Sequence, residues 1–285
     1  MTDTVLLTGA TGFIGQYVLK ELKKLDVKIF CLYRNKRNPP QDKAVNWVEL
    51  DIHNLPDTDL FEYTGKPDVL IHLAWGGLPH YKSLYHFEKE LPSHYVFLKR
   101  LVESGLSNLT VAGTCFEYGL KHGPLKENIE VNPNTPYGFA KDSLRRMLEF
   151  LKQHYEFNLT WCRIFYVYGE GQPESSIFGQ IKVATQRGDK IFNLSEGEQL
   201  RDYLPVEVLS RYIVKLALLK SDVGVVNVCS GRPVSIRKLV ETWIKENNWK
   251  VDLNLGYYPY LDYEPLAFWG DKTKLDNLLK GDSHG

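Results

Sequence analysis

Along the first half of the chain, short apolar runs alternate with stretches in which apolar residues recur every three or four positions. The runs Val5–Thr8, Lys28–Tyr33, Trp47–Leu50, Val69–Leu73, Leu109–Gly113 and Leu159–Phe165 predict strands. The stretches Ile14–Leu25, His86–Ser104 and Gly138–Tyr155 predict helices. These strands are apolar throughout instead of alternating, the pattern of a parallel sheet covered on both faces. Repeated strand–helix units of this kind predict an α/β fold with a doubly wound parallel sheet. After Tyr168 the texture changes. Gly169–Ser175 is turn-rich, Ile177–Arg187 reads as a helix, Gln199–Leu204 as a short segment and Leu209–Lys220 as a helix. Val223–Cys229 is a strand expected to return to the main sheet, Ser235–Asn247 is helical, and the stretch from Tyr257 to Gly270 is rich in aromatics. The chain thus divides into a sheet-forming part, 1–168 plus about 205–229, and a smaller interleaved part, about 169–204 and 230–285.

Composition narrows the function classes. The 285 residues carry 35 Lys+Arg against 35 Asp+Glu, a net charge of zero with His neutral. Such a chain lacks the electrostatic footprint of a nucleic-acid binder. At 43% hydrophobic and 25% charged it has the balance of an ordinary globular protein. It contains no run of about 18 apolar residues, so no membrane-spanning helix is expected. The start, MTDTVLLTGA, runs from an acidic residue into an apolar strand with no basic region or cleavage site, so no secretory leader is expected. Cys31, Cys115, Cys162 and Cys229 are scattered, which suits buried, reduced thiols in a cytoplasmic protein. The His residues show no ligand spacing, so no metal is expected.

The first strand runs directly into Gly9-Ala10-Thr11-Gly12-Phe13-Ile14-Gly15, and a helix follows. Glycines there let the backbone turn tightly and approach a pyrophosphate, to which the helix N-terminus offers free N–H groups and its positive dipole end. A glycine-rich loop between a first strand and a first helix is a strong sign of dinucleotide binding. The sheet-forming part is therefore expected to be a dinucleotide-binding domain, with Gly9, Thr11, Gly12, Phe13, Ile14 and Gly15 at the cofactor. NAD-specific sites commonly carry an acid at the end of the second strand, on the ribose 2′-hydroxyl. Here that strand ends in Tyr33-Arg34-Asn35-Lys36-Arg37, without an acid. Arg34 and Arg37 suit a 2′-phosphate, which favours NADP(H), with NAD(H) as the alternative.

The spacing G-x-x-G-x-x-G in this place resembles the extended branch of the short-chain dehydrogenase/reductase superfamily, enzymes that act on nucleotide sugars. The resemblance spans nearly the whole chain: Asp51-Ile52, the segment Asp68–Ala74, Pro136-Tyr137…Lys141, Arg163…Val167-Tyr168-Gly169, and Arg201-Asp202-Tyr203. It implies a Rossmann-type sheet with a smaller substrate-binding domain, Asp51 and Ile52 at the adenine, Leu73 and Ala74 along the ribose and pyrophosphate, and Phe165 at the cofactor. It also implies a homodimer formed through the helices His86–Ser104 and Gly138–Tyr155.

Tyr137 and Lys141 are four residues apart at the start of a predicted helix and share one face. A free tyrosine has a pKa of about 10, and a neighbouring ammonium is expected to lower it. Tyr137 could then give a proton to a carbonyl oxygen, while Lys141 also holds the cofactor ribose. By the resemblance Thr114, at the end of the fifth strand, is the third catalytic member. Related dehydratases follow it with Asp-Glu; here Cys115 and Phe116 stand instead, so dehydration lacks its acid and base. Many relatives carry Asn where Tyr166 stands, and another Asn early in the fourth helix, where Leu91 or Pro92 falls. Tyr166 is accordingly a substrate contact of a different kind, and Arg201 is the phosphate-binding candidate, with Asp202 and Glu207 as its possible ion-pair partners. Trp75, His80 and Tyr81, in the loop beyond the fourth strand, are candidates for an aromatic wall against the sugar, with ordinary packing of a lid as the equal alternative. The reading that follows is an NADPH-dependent reductase of a nucleotide-linked 4-keto-6-deoxy sugar. A 4-epimerase that retains NAD is the runner-up, and a non-catalytic NADP(H) sensor, which needs only the glycine loop, is a third.

Overall fold

The computed structural model describes residues 2–34 and 41–280. In chain order the first elements are β1 (Asp3–Thr8), α1 (Phe13–Leu22), β2 (Val27–Tyr33), β3 (Asn46–Glu49), α2 (Leu60–Tyr63) and β4 (Val69–His72). There follow α3 (Leu91–Glu103), β5 (Asn108–Thr114), β6 (Gly123–Leu125), α4 (Pro136–Leu151), β7 (Asn158–Ile164), β8 (Tyr166–Tyr168) and α5 (Ile177–Arg187). The remainder comprises β9 (Ile191–Asn193), β10 (Leu200–Pro205), α6 (Val206–Leu218), β11 (Gly224–Val228), β12 (Pro233–Ser235), α7 (Ile236–Glu246), β13 (Asp252–Asn254), β14 (Phe268–Gly270) and α8 (Thr273–Lys280).

Seven strands form one sheet in the order β3-β2-β1-β4-β5-β7-β11, every neighbouring pair parallel. The apolar runs account for it. Successive side chains point to opposite faces of a strand, so Val5 and Leu7 join a cluster with Val18, Leu209 and Ile213, while Leu6 joins Leu70, Phe97, Leu101 and Leu148 on the other side. Both faces are covered, as uniformly apolar strands require. The order reverses between β1 and β4, and a crevice opens beyond their C-terminal ends. The strand expected over Val223–Cys229 does return to the sheet, as β11 beside β7.

Helix boundaries moved where proline and capping chemistry decide them. The helix expected over His86–Ser104 opens as a wide π-helical turn, His86–Glu90, before α3. Pro92 sits in the first turn of α3, where its missing N–H costs nothing. The expected Gly138–Tyr155 begins earlier, because the Thr135 side chain accepts from Gly138 N–H at 3.1 Å and Pro136 follows it.

Outside the main sheet, β12-β10-β8, β13-β9 and β14-β6 form three small sheets. Most of their strands are three residues long, too short for periodicity to reveal. Around them Ile181, Phe192, Val240 and Trp243 make a separate apolar cluster, and Cys115, Tyr118, Phe165, Cys229 and Phe268 another. The outer edge of β11 is closed by α8: Leu275 is fully buried against the sheet, and Lys274 Nζ donates to the carbonyls of Val223 and Val225 at 2.8 and 2.6 Å. All four cysteines are buried and unpaired. Among the described residues no helix is long and apolar enough to cross a membrane.

Candidate active site

The turn from β1 into α1 is closed by Gly12 N–H donating to Gly9 O at 2.9 Å. Gly9 has φ +75°, and a Cβ on it would lie 2.9 Å from Ala74 N. A Cβ on Gly15 would lie 1.9 Å from Gly9 O, so α1 can seat on this turn only with glycine there. Gly12 caps α1 without a side-chain hydrogen bond, which leaves the first-turn N–H groups free for an anion. Thr8 Oγ1 accepts from Leu73 and Ala74 N–H at 3.2 and 3.1 Å and ties the end of β4 to the loop. The crevice between them is a cavity of about 250 Å³, lined by Gly9, Thr11, Gly12, Arg34, Asp51, Ile52, Leu73, Ala74 and Trp75. Backbone that approaches this closely, with uncapped N–H groups at one end and an arginine at the other, fits a dinucleotide. Phe13, Ile14 and Gly15 lie in the first turn of α1 and do not line the cavity. Lys36 and Arg37 lie outside the described residues. Asp51 is exposed and accepts His53 N–H at 3.1 Å. Phe165 is buried between Tyr118 and Phe268, away from the cavity wall.

Thr114 ends β5 and caps the 3₁₀ turn Cys115–Tyr118, accepting Phe116 N–H at 3.3 Å, while Glu117 reaches back to Thr114 N–H at 2.9 Å. This capping box carries the signature T-x-x-E. Glu117, fully buried, also accepts from Trp161 Nε1 at 2.9 Å and Arg163 Nε at 2.7 Å. It anchors the turn from below.

Tyr137, in the first turn of α4, is buried, and the Thr114 hydroxyl is among the groups that favour its ionised form. One turn on, Lys141 is buried, and its Nζ donates to Ala112 O at 2.8 Å. The structure thus brings Thr114, Tyr137 and Lys141 together at the C-terminal end of β5. The electrostatics differ from the sequence expectation. Burial pushes the Tyr137 phenol well above its ordinary value, which the Thr114 hydroxyl only partly offsets. Burial also lowers Lys141 to about 7, against the carboxylates of Glu117 and Glu90, which raise it. Desolvation disfavours the charged form of each group, and here it outweighs their proximity. Cys115 is buried, and its thiol is likewise pushed up.

Of the three residues expected in the aromatic wall, Tyr81 packs beside Tyr137, and Phe116 and Tyr263 join it. Tyr81 stacks on Phe116 at 4.7 Å and packs on Tyr137 at 5.6 Å, and Tyr263 lies 6.5 Å from both Phe116 and Tyr81. Trp75 instead lies beneath Lys141, stacked on His94 at 4.8 Å. His80 is exposed, and its backbone carbonyl bonds the His86 ring at 3.1 Å. Tyr166 stacks on Tyr203 at 5.1 Å beside Arg201. Arg201 is buried and pairs with Glu264 at 2.8 Å, not with Asp202 or Glu207. Asp202 faces the other way, accepting from Ser230 and Gly231 N–H at 2.6 and 2.9 Å.

One set of residues escaped the sequence reading. Thr8 Oγ1 and His72 Nδ1 are 2.9 Å apart, His72 Nε2 and His94 Nδ1 2.8 Å, and His94 Nε2 and Glu90 Oε2 3.0 Å. Glu90 also meets His53 Nε2 at 3.0 Å and accepts Gly76 N–H. A single proton assignment satisfies the chain. His94 donates to the carboxylate, His72 donates to His94, and Thr8 donates to His72 while accepting the two N–H groups from β4. Burial lowers both histidines, so they stay neutral at pH 7. Burial opposes the Glu90 charge, but the bonds from His94 and Gly76 overcome it and hold the carboxyl at about 2. The available signal was the i, i+4 spacing of Glu90 and His94. Among the described residues no cluster of His, Cys, Asp or Glu is disposed to hold a metal.

Comparison with known proteins agrees with this geometry. A family model described as the NAD dependent epimerase/dehydratase family matches residues 5–229. The chain is 34% identical over 272 residues, covering 94% of it and 99% of the relative, to a dTDP-6-deoxy-L-talose 4-dehydrogenase (NAD(+)) of Aggregatibacter actinomycetemcomitans. It is 25% identical over 258 residues, 84% of this chain and 80% of the relative, to the dTDP-4-dehydro-6-deoxyglucose reductase of Escherichia coli. Its fold superposes with a TM-score of 0.85 on a UDP-N-acetylglucosamine 4-epimerase from Methanobrevibacter ruminantium M1, 22% identical, over 97% of this chain and 92% of that one.

Proposed function

The chain belongs to the NAD-dependent epimerase/dehydratase family, and on that premise we propose that it is a reductase of a nucleotide-linked 4-keto-6-deoxyhexose. The observation that carries this reading is the trio Thr114–Tyr137–Lys141 followed by Cys115, a buried thiol, and Phe116, part of the aromatic stack, a set suited to hydride transfer at one carbinol carbon and not to dehydration. Hydride transfer at the sugar's C4 is the chemistry that a nicotinamide cofactor supplies when bound. Tyr137, kept protonated by its burial, gives its phenolic proton to the C4 oxygen, and Thr114 shares that oxygen. Lys141 orients the cofactor ribose as an ammonium, so activity falls as pH rises through about 7. Tyr81, Phe116 and Tyr263 exclude water from the sugar. Segments 169–204 and 230–285 supply the sugar-nucleotide side, with Arg201 released from Glu264 to meet the diphosphate.

The names of the relatives at 34% and 25% identity, both acting on dTDP-linked 6-deoxyhexoses at C4, support this substrate class. Arg34 at the cavity rim supports NADPH, whereas the first relative's name carries NAD(+). A 4-epimerase uses the same three residues, and the nucleotide-sugar 4-epimerases among the structural neighbours favour it as a second reading. The exposed Val96, Phe139 and Phe150 on α3 and α4 support a homodimer through those helices. The deciding experiment offers dTDP-4-keto-6-deoxy sugars with NADPH or NADH and identifies the product at C4 by NMR. Cofactor consumed one-for-one with ketone is expected. Isolation with stoichiometric bound NAD, and interconversion of two 4-hydroxy sugars without added cofactor, would replace the reductase by the epimerase.

A further inference from the structure

Lys141 is a buried cation with no carboxylate on it. Its amine contacts the Ala112 carbonyl and the face of Trp75, whose ring centre lies 3.9 Å from Nζ. We propose that Trp75 is a positioning residue, its indole face holding the Lys141 ammonium in the active site in the place that a carboxylate would otherwise take. The charged and titratable groups around Lys141 leave that role to the ring. Glu117, below β5, is occupied by Trp161, Arg163 and the Thr114 N–H. Glu90, from the π-helical turn, takes His94 and Gly76 N–H on Oε2 and meets His53 at 3.0 Å with Oε1, and makes no ion pair with Lys141. His72 on β4, His94 on α3 and His86 on the π-helical turn all face the lysine as neutral rings, and Tyr137 on its own helix is a neutral phenol. What remains is the negative face of an aromatic ring, which attracts an ammonium strongly once water is excluded.

The indole is itself locked. One face stacks on His94 at an interplanar angle of 24°, and His94 is fixed by the chain from Thr8 to Glu90. The ring N–H donates to His86 Nδ1 at 3.1 Å, and His86 in turn donates from Nε2 to His80 O at 3.1 Å. The ring therefore cannot turn away from the lysine without breaking a bond at its far side. The same chain ends on Thr8, which ties β4 to the glycine loop, so one buried network sets both the cofactor cradle and the lysine.

The inference rests on Lys141 acting as an active-site ammonium, so its test is read on the free protein. Lysine carrying ¹³C at Cε is titrated by NMR in wild type, Trp75→Phe and Trp75→Leu, with Lys141→Arg identifying the signal. The wild-type midpoint is expected at about 7. In Trp75→Leu it should fall by about half a unit to one unit, as the loss of one cation–π contact implies. Trp75→Phe keeps an aromatic face and should fall less, in the same direction. The alkaline limb of kcat/KM, which reports the free enzyme, should move in step. An unchanged midpoint overturns the proposal. So does a raised one, because the ring would then act only by excluding water. Should Trp75→Leu not fold, Trp75→Phe alone decides. If no 4-keto sugar is turned over by wild type, the functional reading fails while the titration still judges Trp75.

Discussion

The two ends of the crevice are built from different materials. At the dinucleotide end the binding surface is mostly backbone: Gly9 and Gly15 pressed against neighbouring main chain, Gly12 leaving N–H groups uncapped, and Thr8 joining two strand ends. Its elements β1, α1, β2 and β4 lie within the first quarter of the sequence. At the end proposed for the sugar the surface is side chains brought from far apart: Tyr81 from the loop before α3, Phe116 after β5, Arg201 on β10, and Tyr263 and Glu264 beyond β13. The first end tolerates almost no change in residue size. The second can change its members while keeping its shape, and that is where relatives with one fold can take different sugars.

The sharpest way to separate the two ends is Tyr137→Phe. Removing the proton donor without altering the ring should lower kcat by about 10²–10⁴-fold, while cofactor affinity measured by calorimetry stays within about threefold. Turnover retained at the wild-type rate would take the acid role away from Tyr137. Gly15→Ala attacks the other end. The added Cβ meets Gly9 O at 1.9 Å, so the loop must shift. Overpacking of this kind costs about 1–3 kcal/mol, and cofactor affinity should fall by about 10–100-fold together with the melting temperature. Normal binding by this variant would mean that the loop is softer than its contacts imply.

Arg34→Asp tests the rim, where the proposed cofactor preference rests on a side chain instead of backbone. Arg34 is exposed, so its contact is screened, and the NADPH-to-NADH affinity ratio should drop by about tenfold, less in high salt. A wild-type protein with equal affinities for the two cofactors would remove the basis of that choice. Glu264→Gln should have the smallest effect. Removing the carboxylate that neutralises Arg201 is expected to tighten a nucleoside diphosphate by about threefold and to cost about 1 kcal/mol of stability, read by thermal shift with and without dTDP. Weaker nucleotide binding would make Glu264 itself part of the grip.

Legibility in the sequence follows the same division. The sheet was readable because β1, β2, β4, β5 and β7 are uniformly apolar and their helices periodic, and β11 could be placed by its Val-rich run. Tyr137 and Lys141 could be named because an i, i+4 pair is a local feature, and Thr114 through the family resemblance. The strands β6, β9, β12, β13 and β14 are three residues each, below the reach of any periodicity. The partner of Arg201 stands 63 residues away, and the one of Thr8 in the histidine chain 64. For Trp75 the sequence left sugar wall and packing open, because position along a loop does not fix which way an indole turns. That Tyr137 and Lys141 are buried deeply enough for desolvation to outweigh their proximity is a property of the packed interior, which spacing alone does not express.

The closure of β11 by α8 bears on how the chain is made. The outermost strand of a sheet presents unpaired carbonyls that can recruit another chain, and here Lys274 and Leu275 cover that edge. They lie some 50 residues after the strand they protect. During synthesis the sheet can therefore be complete in its strands while its border is still open. A ribosome that stalls between β11 and α8 releases a species with its sheet assembled and one sticky side, the kind of intermediate that chaperones hold and that aggregates at high concentration. The last helix thus acts as a seal on the finished sheet, and its arrival separates a chain that can associate through its edge from one that cannot.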